Sequence, residues 1–320
     1  MRGIEMEADM QPVGTPDNPQ RRGFLQALGG LAAAAALPPS ATAAASPLLR
    51  TIPRSGERIP AIGLGSWLTL DVGDDPRRRA SRLPVLQAFF AQGGGMIDSS
   101  PMYGSSEEVI GWCLNRIGDR SNLFAATKVW TVGREEGRQQ MENSRRLWGL
   151  PRFDLIQVHN LLDWEAQLDT LKAMKAEGRV RYIGVTTSHG RRHAELERIM
   201  LREPLDFVQF TYNLADREAE ARLLPLAQER GIAVIANRPF RGGSLFHAVW
   251  GKPLPAWAGE IECTNWAQVF LKFVLAHPAV TCAIPATSRP DHLLENMGAR
   301  FGPLPDAALR RRMAESVDRI

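Results

Sequence analysis

Short apolar runs alternate with longer amphipathic stretches through most of this chain. Residues 165–177 place Leu168, Leu171 and Met174 at helical spacing, and Gly178 ends the pattern. Residues 219–230 show the same spacing. Strand–helix alternation repeated eight times predicts a closed parallel barrel of the (β/α)8 TIM type, an α/β fold. The eight runs predicted as strands cover residues 62–64, 96–97, 123–126, 155–158, 182–185, 207–209, 233–235 and 282–284.

A β-hairpin is predicted ahead of the first barrel strand. Residues 49–60 hold two short extended segments on either side of Ser55-Gly56, a typical turn pair. Such a hairpin would plug one end of the barrel.

A doubly wound dinucleotide fold is the competing topology. It requires a G-x-G-x-x-G turn between its first strand and helix. The segment Gly63-Leu-Gly65-Ser-Trp-Leu68 comes closest, and Leu68 stands where the third glycine belongs. We therefore interpret the two glycines as close packing at a tight strand end.

The composition is that of an ordinary soluble globular protein. Of 320 residues, 44% are hydrophobic and 23% are charged, and no linker interrupts residues 46–320, so one domain is expected there. The net charge of +4 comes from scattered arginines, which indicates solvated helix faces and no nucleic-acid partner. Three widely spaced cysteines suggest neither a disulfide framework nor a zinc ribbon.

The first 45 residues differ from the rest. Arg21-Arg22 precedes an apolar run over residues 25–37, and small residues follow up to Ala45. These are the parts of an export signal, and the arginine pair resembles a twin-arginine signal. We expect the Tat export machinery as a partner and a periplasmic or exported location. An uncleaved membrane anchor is the alternative.

Candidate chemistry stands at the ends of three apolar runs. Asp98, Lys128 and His159 each close such a run, and Tyr103 follows Asp98 by five residues. In a parallel barrel the carboxyl ends of the strands converge on one face. One acid, one cation, one phenol and one imidazole are therefore expected in a single pocket.

Six motifs follow one another through nearly the whole barrel region. They are Gly63-Leu-Gly65-Ser-Trp67, residues 98–107, Ala126-Thr-Lys128-Val-Trp130, Asp154-Leu-Ile-Gln-Val-His159, residues 178–185 and residues 284–296. Together these motifs resemble the aldo-keto reductase family. The resemblance implies a (β/α)8 barrel and NAD(P)H-dependent reduction of aldehydes or ketones to alcohols, or the reverse oxidation.

The residue chemistry points the same way. Carbonyl reduction delivers a proton to an oxygen that gains negative charge, so a positioned donor is needed. Tyr103 is the candidate donor, and Lys128 is expected to lower its pKa from about 10. Asp98 would hold Lys128 in an ion pair. His159 would orient the carbonyl oxygen of a small-molecule substrate.

A nicotinamide dinucleotide site is also implied by the resemblance. Thr186, Thr187 and Gln209 would line the carboxamide edge of the nicotinamide. Thr287 and Ser288 would meet the adenosine phosphate near a helix start, where free N–H groups favour anions. The other expected contacts are Asn296 at the adenine, with Asn237, Arg238, Arg289 and His292 elsewhere along the cofactor.

Three positions depart from the best-known family pattern. Ala286 stands where many members have Lys, His292 where they have Arg, and Asn237 where many have an aromatic ring that stacks on the nicotinamide. Fewer fixed positive charges weaken the case for a 2′-phosphate. Because Arg289 could supply one such charge, NADP is the expected cofactor, with NAD as the alternative.

Two further functions stay open at this point. A metal-dependent barrel hydrolase could use Asp98, His159, His189 and His193, but Gly190 and the missing nearby carboxylate argue against a metal. A non-catalytic nucleotide-binding relative would keep the barrel and the cofactor without turnover.

Neighbouring residues have simpler interpretations. Glu107 is interpreted as a helix-start or loop-fixing acid and not as a second catalytic carboxylate. Trp67, Trp130 and Trp164 could wall a substrate pocket.

Overall fold

The computed structural model describes residues 46–318, and its main element is a parallel barrel. Each strand from β3 to β10 pairs in parallel with the next, and the bridges Ile62–Ala283 and Gly65–Ala286 close the ring. The predicted α/β barrel is confirmed. The strands are β1 (Leu49–Thr51), β2 (Arg58–Pro60), β3 (Leu64–Gly65), β4 (Met96–Asp98), β5 (Phe124–Val129), β6 (Phe153–Val158), β7 (Val180–Thr186), β8 (Phe207–Thr211), β9 (Ala233–Asn237) and β10 (Val280–Ala283).

Helices follow the strands and cover the outside of the barrel. None of the helices within residues 46–318 has the length and hydropathy needed to cross a membrane. They are α1 (Pro76–Ala80), α2 (Leu83–Ala91), α3 (Ser106–Leu114), α4 (Arg134–Trp148), α5 (Trp164–Ala176), α6 (His193–Arg202), α7 (Leu223–Arg230), α8 (Ser244–Ala248), α9 (Trp266–Leu275), α10 (Pro290–Gly298) and α11 (Ala307–Asp318).

The two helices predicted from spacing are found with different accuracy. Helix α5 lies within one residue of its predicted bounds. The helix predicted from residue 219 begins only at Leu223, after a separate 3₁₀ turn at Glu218–Glu220. Pro225 explains the break, because proline is tolerated in the first turn of a helix and not in its interior.

Gly63 and Gly65 serve barrel closure. A Cβ on Gly63 would lie 2.8 Å from the Met96 carbonyl oxygen, and one on Gly65 would lie 2.8 Å from the Ile284 carbonyl oxygen. Both contacts are too short for any side chain, so strands β3, β4 and β10 can approach only if these positions are glycine. The interpretation as close packing is confirmed.

The predicted hairpin, β1 and β2, closes the amino-terminal end of the barrel. Ile52 and Ile59 are buried inside the barrel against Phe124, Tyr182 and Phe207, which lie near the amino ends of their strands. With that end filled by side chains, the carboxyl ends of the strands are left for a site. The predicted export signal, residues 1–45, lies outside the described residues.

Candidate active site

A cavity of about 520 Å³ opens at the carboxyl ends of the barrel strands. Asp98, Tyr103 and His159 line it, and Lys128 lies behind them with no exposed surface. A smaller cavity of about 250 Å³ lies near the amino ends of β6 and β7, and none of the predicted site residues lines it. The chemistry predicted from sequence is therefore gathered in the larger cavity.

The four predicted catalytic side chains are in mutual contact. The Lys128 Nζ atom lies 2.5 Å from Asp98 Oδ2 and 2.8 Å from the Ser99 carbonyl oxygen. The same atom lies 5.2 Å from the centre of the Tyr103 ring. The Tyr103 and His159 rings meet edge to face, with centres 5.6 Å apart. Strand register brings this about, since β4, β5 and β6 are neighbours in the sheet.

Lys128 is a buried cation that keeps its charge. Burial lowers the pKa of the ammonium, but the charge of Asp98 and the contact with Tyr103 outweigh burial and leave the pKa above its ordinary value. An ion pair with no solvent around it is screened little by salt. Lys128 therefore places a permanent positive charge beside the Tyr103 hydroxyl.

The pKa of Tyr103 differs from the expectation. Burial raises the pKa of the phenol above its ordinary value of 10.0, and Lys128 lowers it by less than burial raises it. The expectation of a lowered pKa is wrong for this state of the protein, because a low-dielectric site penalises the phenolate. Tyr103 consequently carries its proton at neutral pH, as a proton donor must.

His159 follows β6 directly and is neutral. It is 4% exposed, and burial, with the positive charge of Lys128, lowers its pKa to about 3. Its Nδ1 atom lies 2.8 Å from the Ser100 hydroxyl oxygen. A neutral imidazole carries one N–H group and one lone pair, so it can donate a hydrogen bond without bringing a charge into the cavity.

The depressed pKa of His159 makes stability depend on pH. Between the folded value of about 3 and the ordinary value of 6.5, the unfolded chain binds more protons than the folded one. The free energy of unfolding therefore falls as pH drops through this window, by up to about 1.4 kcal/mol per pH unit. In His159→Gln, the free energy of unfolding measured with urea is expected to fall less steeply with decreasing pH than in wild type. Equal pH slopes in the two proteins would contradict the assignment of a depressed pKa to His159.

Two glutamines fix the side of Asp98 that faces away from Lys128. The Nε2 atoms of Gln157 and Gln209 lie 3.2 Å and 3.1 Å from Asp98 Oδ1 and donate to it. Sequence reasoning missed Gln157, which is fully buried on β6. The signal was available, because Gln157 is a polar residue inside the otherwise apolar predicted strand of residues 155–158, and a buried polar side chain needs a hydrogen-bond partner.

Five of the predicted cofactor residues line the cavity. Thr187 Oγ1 is buried and has no hydrogen-bond partner among the described residues, so it is free to meet a polar group of a ligand. This unsatisfied atom fits a nicotinamide carboxamide, which carries both a donor and an acceptor. The cavity-lining set is Thr186, Thr187, Gln209, Asn237 and Arg238.

Asn237 belongs to the framework of the cavity. Its Nδ2 atom donates to the Thr187 carbonyl oxygen at 2.9 Å and to Gln209 Oε1 at 3.4 Å. Its Oδ1 atom accepts from the Thr211 hydroxyl at 2.8 Å. Asn237 thus orients the Thr187 backbone and the Gln209 amide, a role that an aromatic ring at this position could not perform.

The other predicted cofactor residues lie outside this cavity, on the loop after β10 and on α10. Thr287 is buried, and its Oγ1 atom accepts from the Arg289 backbone N–H at 3.1 Å. The Arg289 guanidinium forms an exposed ion pair with Asp291, at 3.0 Å from Nε to Oδ1. The charge expected to favour a 2′-phosphate is therefore already partnered. Ser288, His292 and Asn296 complete this group, and Asn296 is buried.

Glu107 lies in the first turn of α3, as the helix-start interpretation expects, and its contacts are to a strand and a helix and not to a loop. It is buried and accepts hydrogen bonds from Thr127 at 2.5 Å, Ser144 at 2.7 Å and Trp148 at 3.3 Å. Burial raises its pKa. These contacts join α3, β5 and α4 behind Lys128.

The four predicted catalytic residues form a tetrad. Of the tryptophans and histidines outside the tetrad, only some line the cavity. Trp67 lines the cavity, whereas Trp130 and Trp164 are not among its lining residues, and Trp164 packs against the core. His189 lines the cavity, and His193 begins α6. Within residues 46–318 no three His, Cys, Asp or Glu side chains come together as a metal site.

Comparison with known proteins matches this arrangement to a family. The sequence model of the Aldo/keto reductase family matches residues 61–312. The chain is 29% identical over 245 residues to methylglyoxal reductase YeaE of Escherichia coli strain K12, a match that covers 74% of this chain and 84% of that protein. It is 29% identical over 203 residues to aldo-keto reductase YhdN of Bacillus subtilis strain 168, covering 58% and 60%.

Solved structures share the barrel. An aldo/keto reductase from Klebsiella pneumoniae in complex with NADP and acetate superimposes with a TM-score of 0.72 at 24% identity, covering 84% of this chain and 95% of that one. The thermostable aldo-keto reductase Tm1743, in complex with the inhibitor epalrestat, gives 0.70 at 27% identity, covering 84% and 99%. Since the family model matches most of the chain, the protein belongs to the aldo/keto reductase family and is an NAD(P)-dependent oxidoreductase that acts on carbonyl or alcohol groups.

Proposed function

We propose that this protein reduces aldehydes or ketones to alcohols with NADPH, or runs the reverse oxidation, with Tyr103 as the proton donor. The observation that supports this most is the fully buried Lys128–Asp98 pair beside Tyr103, at the wall of a cavity that His159 also lines. Structural ion pairs are common, but this one meets a phenol and an imidazole at the mouth of a barrel, where barrel enzymes carry their chemistry.

Each side chain has one task in this proposal. When bound, the nicotinamide supplies the hydride to the carbonyl carbon. Tyr103 gives its hydroxyl proton to the carbonyl oxygen as negative charge develops there. The ammonium of Lys128 stabilises the phenolate left behind, until solvent returns the proton. Asp98 holds Lys128 in place, and His159 donates a hydrogen bond that orients the oxygen.

The residues present fit a nicotinamide dinucleotide. Thr186, Thr187 and Gln209 offer hydroxyl and amide groups deep in the cavity, and Arg238 offers a cation at its side. Several solved neighbours of this fold are complexes with NADP or NADPH. These neighbours support NADP as the cofactor of this chain.

The simplest test of the proposal is NADPH consumption by the purified protein with a panel of aldehydes and ketones. We expect turnover with at least one carbonyl and no dependence on added or removed metal. Tight NADPH binding without turnover on the whole panel would favour a non-catalytic relative. Activity lost on chelation and restored by metal would favour the hydrolase.

The ion pair between Arg289 and Asp291 predicts how cofactor preference can be changed. Asp291→Asn frees the guanidinium for a 2′-phosphate, so NADPH should bind about fivefold more tightly relative to NADH. Calorimetric titration of each cofactor measures this ratio. Glu229→Gln removes one negative charge from α7 and serves as the control. A ratio that does not change in Asp291→Asn would show that Arg289 is not at the phosphate.

Export through the twin-arginine route is part of the same proposal, and its support is the pattern around Arg21-Arg22. Replacing both arginines by lysine is expected to leave the protein in the cytoplasm of its host, while Arg2→Lys leaves export unchanged. Immunoblots of periplasmic and cytoplasmic fractions measure the distribution. Periplasmic protein from the double variant would contradict this route.

A further inference from the structure

Ser100 is a buried hydroxyl that the proposed reaction does not use. It lies in the loop after β4, two residues beyond Asp98, and is 0% exposed. Its Oγ atom has two neighbours within hydrogen-bonding distance among the described residues, the Met102 backbone nitrogen at 3.2 Å and His159 Nδ1 at 2.8 Å. A buried hydroxyl held between a donor and an imidazole determines how the imidazole is protonated.

The direction of each hydrogen bond follows from counting protons. The Met102 N–H can only donate, so it occupies one lone pair of the Ser100 oxygen. The hydroxyl has a single proton, and His159 Nδ1 is the acceptor in reach. If Nδ1 carried a proton instead, the Ser100 proton would have no partner in a buried site. That arrangement is disfavoured by roughly ten- to a hundredfold.

The other ring nitrogen then carries the proton. Nε2 lies across the imidazole ring from Ser100, and it has no hydrogen-bond partner among residues 46–318. His159 lines the cavity and meets the Tyr103 ring edge to face. An Nε2–H group therefore faces the place where a carbonyl oxygen would accept from Tyr103.

We propose that Ser100 is a positioning residue that fixes His159 as the Nε2–H tautomer, so that the imidazole is a hydrogen-bond donor to the substrate carbonyl. The inference rests on the proposed function for its effect on the reaction, but the tautomer itself belongs to the protein without ligands. A His159 that carried its proton on Nδ1 would present a lone pair to the carbonyl oxygen and repel it.

Nitrogen-15 NMR of the ligand-free protein, labelled at histidine, tests the tautomer directly. The chain has six histidines, and the signals lost in His159→Gln identify the ring of interest. In wild type we expect an unprotonated Nδ1 and a protonated Nε2. In Ser100→Ala we expect both tautomers, because the hydroxyl that selects between them is gone. A wild-type His159 protonated on Nδ1 would overturn the proposal.

Kinetics of the same variants test the consequence. Ser100→Ala should lower kcat for carbonyl reduction about tenfold, with a smaller change in KM, since the hydrogen bond strengthens as charge develops on the oxygen. Ser100→Thr keeps the hydroxyl and should keep the wild-type tautomer and most of kcat. Ser106→Ala removes another fully buried hydroxyl from the same region, without contact to His159, and should leave both readouts unchanged.

The outcomes separate this inference from the proposed function. Unchanged kcat and an unchanged tautomer in Ser100→Ala would overturn the role of Ser100. Should that variant not fold, the wild-type and Ser100→Thr spectra decide, since both must show the Nε2–H form. If no carbonyl is reduced by wild type while its His159 is the Nε2–H tautomer, the proposed function fails and the assignment of the hydrogen bond stands.

Discussion

Tyr103→Phe is expected to lower kcat/KM for carbonyl reduction by about 10² to 10⁴, the usual contribution of a positioned proton donor. Phenylalanine keeps the ring that packs edge to face on His159 and removes only the hydroxyl. The pKa of Tyr103 is raised, so wild type presents a protonated donor at neutral pH, and nothing else in the tetrad replaces it. Initial rates of NADPH consumption measure the loss.

A matched control separates the chemistry from the structure. Tyr182→Phe also deletes one buried phenol hydroxyl, but that hydroxyl bonds Ser55 and Glu57 at the hairpin end of the barrel. We expect Tyr182→Phe to cost some stability and to leave kcat/KM near wild type. Full activity in Tyr103→Phe, with NADPH affinity unchanged, would remove Tyr103 from the role of proton donor.

Replacing Lys128 has the second largest expected effect, because it acts on both activity and stability. Lys128→Met leaves Asp98 buried without its cation, and breaking a buried pair in this way costs about 3–5 kcal/mol. Activity should fall by about 10² or more, since the phenolate of Tyr103 loses the charge that stabilises it. Urea unfolding and NADPH consumption are measured on the same preparation.

The double variant distinguishes the two effects. In Asp98→Asn with Lys128→Met no unpaired charge stays buried, so the unfolding free energy should fall by less than the sum of the single changes. Activity should not return, because the cation is still missing. Lys172→Met removes a lysine from a partly exposed ion-pair cluster on α5, and its expected stability cost is at most about 1 kcal/mol. Restored activity in the double variant would show that Lys128 acts only by neutralising Asp98.

The barrel and the four residues of the tetrad could be predicted from the sequence because both follow from patterns of neighbouring residues. An apolar run that ends in a polar residue marks a strand and its carboxyl end within a few positions. Asp98, Lys128 and His159 each stand at such an end, and strand order in a parallel barrel brings these ends to one face. The close packing at Gly63 and Gly65 could likewise be predicted, because the absence of the third glycine of the dinucleotide motif is visible in the segment itself.

The predicted start of α7 and the predicted pocket-wall role of two tryptophans were wrong, because the pattern of neighbouring residues was misleading there. The start of α7 was misplaced because residues 219–222 continue the apolar spacing, while Pro225 restricts where the helix begins. Trp130 and Trp164 follow strand ends, as Trp67 does, but Trp164 packs against the core, and neither lines the cavity. Position after a strand does not determine the direction in which a side chain points.

By itself, the sequence determined the fold class, the order of the strands and the identity of the four candidate catalytic residues, since each depends on residue type and spacing. Only the tertiary structure decided the sign of the Tyr103 pKa shift, the partners of Asp98 and the hydrogen bond between Ser100 and His159. It also showed that the Asn237 amide is hydrogen-bonded to the Thr187 backbone and that the Arg289 guanidinium is ion-paired with Asp291. The physical reason is that burial and hydrogen-bond pairing depend on atoms distant in sequence, and no spacing along the chain reports how much water or which partner surrounds a group.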